Sequence, residues 1–262
     1  MKKITILFVA FIASLSISSF TVAAGGHGAA VDKAHVKMND MPSLQNGAKL
    51  FVNYCLSCHS ASYARYNRVA EDLGIPEALL KENLMFTTEK TGDLMKTTMP
   101  AEDSKRWFGV TPPDLTLVSR VRKPDWVYTY LRAFYIDENS PSGWNNSLFE
   151  NVAMPHALYE LQGVQQIVGK ADKSEHNSHG STGHDDEKKI IVGDTEFELV
   201  HEGKLSPAEF DKAMLDLTAF LVYLAEPAQL KREKIGIFTL GFLIILMMLA
   251  YLLKKEFWRD VH

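Results

Sequence analysis

Apolar positions along this chain recur mostly at helical spacing, and they mark out several elements before any chemistry is considered. Residues 46–54 carry Leu50, Phe51 and Tyr54 in a helical pattern. Residues 76–86 (PEALLKENLMF) open with Pro and set Leu79, Leu80 and Leu84 on one side. Residues 124–135 have Pro and Asp in their first turn, then a stripe of Trp126, Val127, Tyr130, Leu131 and Phe134. The clearest helix begins at Ser206-Pro207-Ala208-Glu209, a capping box with Pro at the first helical position. Phe210, Met214, Leu217, Leu221 and Leu224 repeat along its face until Glu226-Pro227 ends it. Strand-like alternation is sparse. Residues 190–200 (IIVGDTEFELV), with Gly-Asp near the centre, predict a small β-hairpin. No internal repeat is visible, and the fold class is mainly α.

Two further runs are apolar on every side. Residues 235–253 (IGIFTLGFLIILMMLAYLL) hold 19 positions without a charge. As a helix this run spans about 28 Å, close to the hydrocarbon thickness of a bilayer. A buried core helix would need no flanking cations, yet Lys231, Arg232 and Lys234 stand on one side and Lys254, Lys255 and Arg259 on the other. Tyr251 and Trp258 are placed for the interface. At the other end, Lys2 and Lys3 precede an apolar stretch at 4–13, and Val22-Ala23-Ala24 offers a small-residue cleavage site before Gly25. The expected layout is a signal peptide at 1–24, an exported domain at 25–230, a transmembrane helix at 235–253 and a cytoplasmic tail at 254–262. The exported domain then faces the periplasm of a bacterial inner membrane, tethered by its C-terminus.

Composition changes this picture in two places. Residues 170–188 (KADKSEHNSHGSTGHDDEK) are polar and nearly free of aliphatic side chains, which predicts a loop or insertion. Its His176, His179 and His184 lack the rigid spacing of a metal site. The net charge of the whole chain is −4; the basic n-region and the tail after residue 253 together carry +3, leaving −7 between them. A negative exported face argues against nucleic acid and suits a positively charged protein partner.

The chemistry is concentrated at Cys55-Leu56-Ser57-Cys58-His59, which holds both cysteines of the chain. C-x-x-C-H is the attachment signature of a c-type haem. Two thiols on one turn of chain add across the two vinyl groups, and the next residue, His59, lies beneath the iron as proximal ligand. A thioredoxin-like dithiol would need a βαβ context, and a zinc half-site would need a second Cys/His pair. The implied architecture is a cytochrome c-like haem-binding domain with insertions, plus the C-terminal transmembrane helix.

The iron's other face needs its own explanation. A methionine thioether would make a six-coordinate electron carrier. Met38 and Met41 fall in an expected flexible leader, and Met85 and Met214 fall on core stripes. Two Met-Pro pairs remain, Met99-Pro100 and Met154-Pro155, in each of which Pro stiffens the presenting loop. Met99 lies 40 residues after His59 and Met154 lies 95 after it. Spacing slightly favours Met99 and leaves both open.

Several longer segments resemble the cytochrome c1 family, the haem subunits of quinol–cytochrome c reductase (cytochrome bc1) complexes, in its bacterial form. They are WFGVTPPDLTLVSRVR at 107–122, NVAMPHALYELQGVQ at 151–165, KLSPAEFDKAMLDLTAFLVYLAEP at 204–227 and LLKKEFWRDVH at 252–262. The resemblance implies that Met154 is the axial methionine and Met99 a loop residue. It implies that Pro112 and Pro113 pack along the haem edge, that Arg122 pairs with a haem propionate, and that Trp126 packs near the ring. A fixed cation beside a propionate suits a partly buried charge. The implied activity is electron transfer from a Rieske iron–sulfur protein to a cytochrome c, with no enzymatic activity of the chain by itself. The implied cofactor is one covalent haem c, and the implied assembly is a dimeric complex with a cytochrome b subunit. The chain departs from the common bacterial pattern in its His-rich 170–188 stretch, and it lacks the cysteine pair that ties down the methionine loop in some relatives.

Overall fold

The computed structural model describes residues 30–171 and 189–259. The expected signal peptide, most of the polar stretch and its three histidines, and the last three residues of the tail lie outside them. Nine α-helices and seven short strands are described, and the helices carry the core.

Helix α1 (Met41–Leu50) begins earlier than the apolar pattern suggests. Asp40 caps it by accepting from the Ser43 amide at 3.2 Å, and Pro42 occupies its first turn. Met38 and Met41 pack against the core, so the expected flexible leader is instead the approach to this helix. A single π-turn (Phe51–Cys55) follows, closed by the Leu56 amide on the Phe51 carbonyl at 2.9 Å. Such wide turns occur at functional sites because they re-aim the chain, and here the turn leads into the cysteine run.

Strand β1 (Ala61–Arg65), α2 (Tyr66–Leu73), α3 (Glu77–Asn83), β2 (Leu94–Met95), α4 (Ala101–Phe108), α5 (Val118–Arg122) and α6 (Pro124–Arg132) come next. In α3 the expected stripe is split: Leu80 and the following Leu84 are buried, while Leu79 is half exposed. Helix α6 stops at Arg132, so Phe134 belongs to β3 (Phe134–Ile136), paired antiparallel with β4 (Trp144–Asn146). Helix α7 (Tyr159–Gln162) opens β5 (Gly163–Lys170), which pairs with β7 (Thr195–Glu202). The expected hairpin is present as β6 (Lys189–Val192) and β7, with Gly193 at φ 64° at its two-residue turn. Strand β5 makes it a three-stranded sheet in the order β5-β7-β6, a third member that the sequence pattern did not announce.

Helix α8 (Pro207–Ala225) carries the capping box read from the sequence, with the Glu209 side chain returning to the Ser206 amide at 3.0 Å. It packs against α1 at Gly47, where a Cβ would stand 2.1 Å from the Asp216 carbonyl oxygen. The rings of Phe51 and Phe220 lie 5.6 Å apart beside that approach. The buried Asp216 carboxylate accepts from Ser43 Oγ at 2.6 Å, Asn46 Nδ2 at 2.9 Å and Lys212 Nζ at 2.9 Å, joining the two helices through polar groups as well. Thus the segment that enters the haem motif is fixed to the core.

Helix α9 (Gln229–Phe257) contains one apolar stretch long enough to cross a membrane, Ile235–Phe257, and nothing among the described residues covers it. That is consistent with a single-pass anchor. Its first turns are fastened to the elements that precede it. Arg232 pairs with Glu226 at 2.7 Å, and Lys231 approaches the buried Asp72 at 3.8 Å, where Tyr223 Oη also donates at 3.1 Å.

Candidate haem site

The cysteine run forms a compact hydrogen-bonded turn. The Cys55 carbonyl accepts from the amides of Cys58 at 3.0 Å and His59 at 2.8 Å. Cys55 is buried and Cys58 half-buried. Burial, and then the neighbouring Cys58 thiol, push the Cys55 thiol up to about 12. His59 is buried as well, with its Nδ1 lying 2.7 Å from the Pro113 carbonyl oxygen. A carbonyl only accepts, so Nδ1 carries the proton and the Nε2 lone pair is left for a metal. Burial pulls the imidazole below its usual range, against the opposing pull of the Pro113 carbonyl and the Asp114 charge. Two thiols on one turn, followed by a neutral imidazole oriented through its other nitrogen, fit the donor set of a covalently held haem.

The loop that supplies Pro113 is tied to the same turn. The Leu115 amide donates to the Ser60 carbonyl at 2.8 Å, and the Ser62 amide donates to Asp114 Oδ2 at 2.8 Å. Burial opposes the Asp114 charge, but hydrogen bonds from Thr116 and Ser62 outweigh it and hold the carboxyl below the usual range. Pro112 is half-buried and Pro113 exposed at this edge. The family resemblance implies a packing role for Pro113; its carbonyl also orients His59, which no side-chain pattern announces.

A second group of expected site residues comes together elsewhere. Arg122, at the end of α5, lies over the Trp126 ring at 4.9 Å and the Phe149 ring at 5.8 Å. Trp126 stacks on Tyr130 with centroids 4.9 Å apart and planes 12° from parallel. Tyr130 Oη donates to Met154 Sδ at 3.4 Å. Arg122, Trp126 and Met154 are therefore linked through a residue that sequence reasoning left on an apolar stripe. Between Arg122 and the helix start, Lys123 holds φ 72° and ψ 152°, a region that L-residues avoid.

The loop before Met154 is organised by two asparagines of β4. Asn145 Oδ1 accepts from the Asn151 amide at 2.9 Å, and Asn151 itself has a positive φ of 58°. Asn146 Oδ1 accepts from the amides of Leu148 and Phe149, while its Nδ2 donates to the Tyr130 carbonyl at 2.9 Å. Two residues beyond Met154, His156 is buried between the Phe134 ring, stacked at 4.9 Å, and the Trp144 ring. Among the described residues neither of its ring nitrogens has a hydrogen-bond partner of good geometry.

Met99 is held differently. The Met99 amide donates to Thr97 Oγ1 at 3.1 Å, and the Thr97 hydroxyl donates to the Ser57 carbonyl at 2.6 Å. Its loop is thus fastened to the cysteine turn itself. Among the described residues no three His, Cys, Asp or Glu side chains cluster as a metal cage, so the zinc alternative finds no second ligand pair there.

Residues 32–181 and 191–261 match the model of the cytochrome C1 family. The chain is 49% identical to cytochrome c1 of Allochromatium vinosum over 248 residues, 95% of this chain and 96% of the other. It is 40% identical over 262 residues, all of both chains, to the ammonia monooxygenase gamma subunit of Nitrosomonas europaea. Cytochrome c1 of Rhodospirillum rubrum is 24% identical over 242 residues, covering 85% and 83% of the two chains.

Proposed function

The chain belongs to the cytochrome c1 family, and from that premise we propose that it is the membrane-anchored electron carrier of a cytochrome bc1 complex. It accepts electrons from a Rieske iron–sulfur protein and hands them to a cytochrome c on the periplasmic side of a bacterial inner membrane. The observation that carries the reading is the His59 imidazole. It follows the two cysteines directly and is oriented by the Pro113 carbonyl at 2.7 Å, so that Nε2 is left for iron. Haem c, attached through Cys55 and Cys58, supplies reversible one-electron chemistry when bound.

The residues of the chain have separate tasks in this reading. His59 and Met154 would hold the iron, Pro112 and Pro113 would pack against the haem, and Arg122, stacked on Trp126, would pair with a propionate. Among the described residues Arg122 has no carboxylate partner, which supports leaving its charge for a propionate. Orientation, exclusion of water and a tuned potential are what the protein contributes; no side chain acts as acid, base or nucleophile. Helix α9 packs on a cytochrome b subunit within a dimeric complex, and the ion pairs at its first turns keep the haem domain at a fixed height.

One observation favours a second reading. A relative 40% identical over the full length of both chains is named as a subunit of ammonia monooxygenase, so the electron carrier would then serve a different oxidoreductase. Purification from native membranes in mild detergent, followed by a redox difference spectrum, separates the two. Haem b bands and a Rieske-type signal co-purifying with haem c support the bc1 reading. Six-coordinate haem c co-purifying with an ammonia-oxidising activity and without haem b supports the second.

A further inference from the structure

We propose that Tyr130 is a positioning residue for the Met154 sulfur: its hydroxyl donates to Sδ, and so would raise the midpoint potential of a haem whose iron that sulfur binds. The inference rests on the reading of Met154 as the axial ligand. Its basis is the 3.4 Å contact from Tyr130 Oη to Met154 Sδ, made by a ring that cannot easily turn away. That ring stacks on Trp126 and meets Phe134 edge-on at 5.1 Å, while its backbone carbonyl is held by Asn146. The same asparagine organises the loop leading to Met154, so donor and acceptor are referenced to one side chain.

A thioether sulfur has two lone pairs. When one binds iron, a hydroxyl on the other withdraws electron density and weakens donation to the ferric state more than to the ferrous state. The hydroxyl dipole acts in the same direction, because its positive end faces a centre that gains positive charge on oxidation. Both effects favour the reduced form.

The test is Tyr130→Phe in the full-length holoprotein, alone and combined with Met154→Leu, read by redox titration and by carbon monoxide binding. Phe keeps the ring and its stacking, and haem content per chain reports folding. A neutral hydrogen bond changes an equilibrium by about fivefold. The expected result is a fall of about fivefold in the equilibrium constant for reduction, roughly 40 mV at ~59 mV per tenfold for one electron. Carbon monoxide remains excluded, and Tyr130→Phe causes no further fall once Met154 is Leu. An unchanged potential in Tyr130→Phe, with a large fall in Met154→Leu, overturns the proposal and leaves the ligand reading intact. An equal fall from Tyr130→Phe in both backgrounds overturns it too, since the hydroxyl then acts through something other than the sulfur. If Met154→Leu itself changes neither potential nor carbon monoxide binding, the ligand reading fails and the proposal falls with it.

Discussion

The cysteine side of the proposed haem site is five consecutive residues, whereas the proposed Met154 side is assembled from four separate stretches. On the first, Cys55, Cys58 and His59 are placed by one hydrogen-bonded turn, and long-range bonds from His59 to the Pro113 carbonyl and from Thr97 to the Ser57 carbonyl complete the geometry. On the second, Arg122, Trp126 and Tyr130, the β4 asparagines and Met154 meet only because their elements pack together. The contrast is one of information. A contiguous motif states its chemistry in its own spacing. A composite one states it only through contacts between residues many positions apart, and each of those residues has an ordinary reading alone.

The largest expected effect removes the contiguous side. Replacing both thiols, Cys55→Ala with Cys58→Ala, should abolish haem that survives denaturation, read by haem staining after a denaturing gel. Persistence of stained haem would break the comparison outright. Next comes the support beneath that side. A Cβ at Gly47 would stand 2.1 Å from the Asp216 carbonyl and 2.7 Å from Phe220 Cβ. Gly47→Ala should therefore force α1 and α8 apart and cost about 1–3 kcal/mol, the usual range for overpacking, or more. The check is the urea midpoint; an unchanged value would mean that the helices do not cross so closely.

The smallest effect sharpens the composite side. Lys123 stores backbone strain worth ~1–3 kcal/mol between Arg122 and the helix of Trp126 and Tyr130. Lys123→Gly relieves it, against an entropic cost of about 0.5–1 kcal/mol for the glycine. The expected outcome is a gain of about 1 kcal/mol, and a loss of stability would show that the lysine conformation is not strained.

Legibility followed the same division. The capping box at Ser206, the hairpin at Gly193-Asp194, the apolar anchor helix and the core placement of Met85 and Met214 were all readable, because each depends on residues close in sequence. The start of α1 was missed because Asp40 caps a segment with little apolar period. Strand β5 was missed because a buried glutamine stands near its start. Gln165 donates its amide to the Arg132 and Phe134 carbonyls, and no hydrophobic pattern signals such a residue. Phe134 left the helical stripe for a similar reason, since pairing with β4 overrode local periodicity. The choice between Met99 and Met154 lay beyond spacing and needed the family resemblance.

The measurement that bears most directly on the account compares Met154→Leu with Met99→Leu in the purified holoprotein, by redox titration and by the carbon monoxide difference spectrum of the reduced haem. A large fall in potential and a new carbon monoxide band are expected for Met154→Leu, with neither change for Met99→Leu. Loss of the high potential in the Met99 variant alone would contradict it.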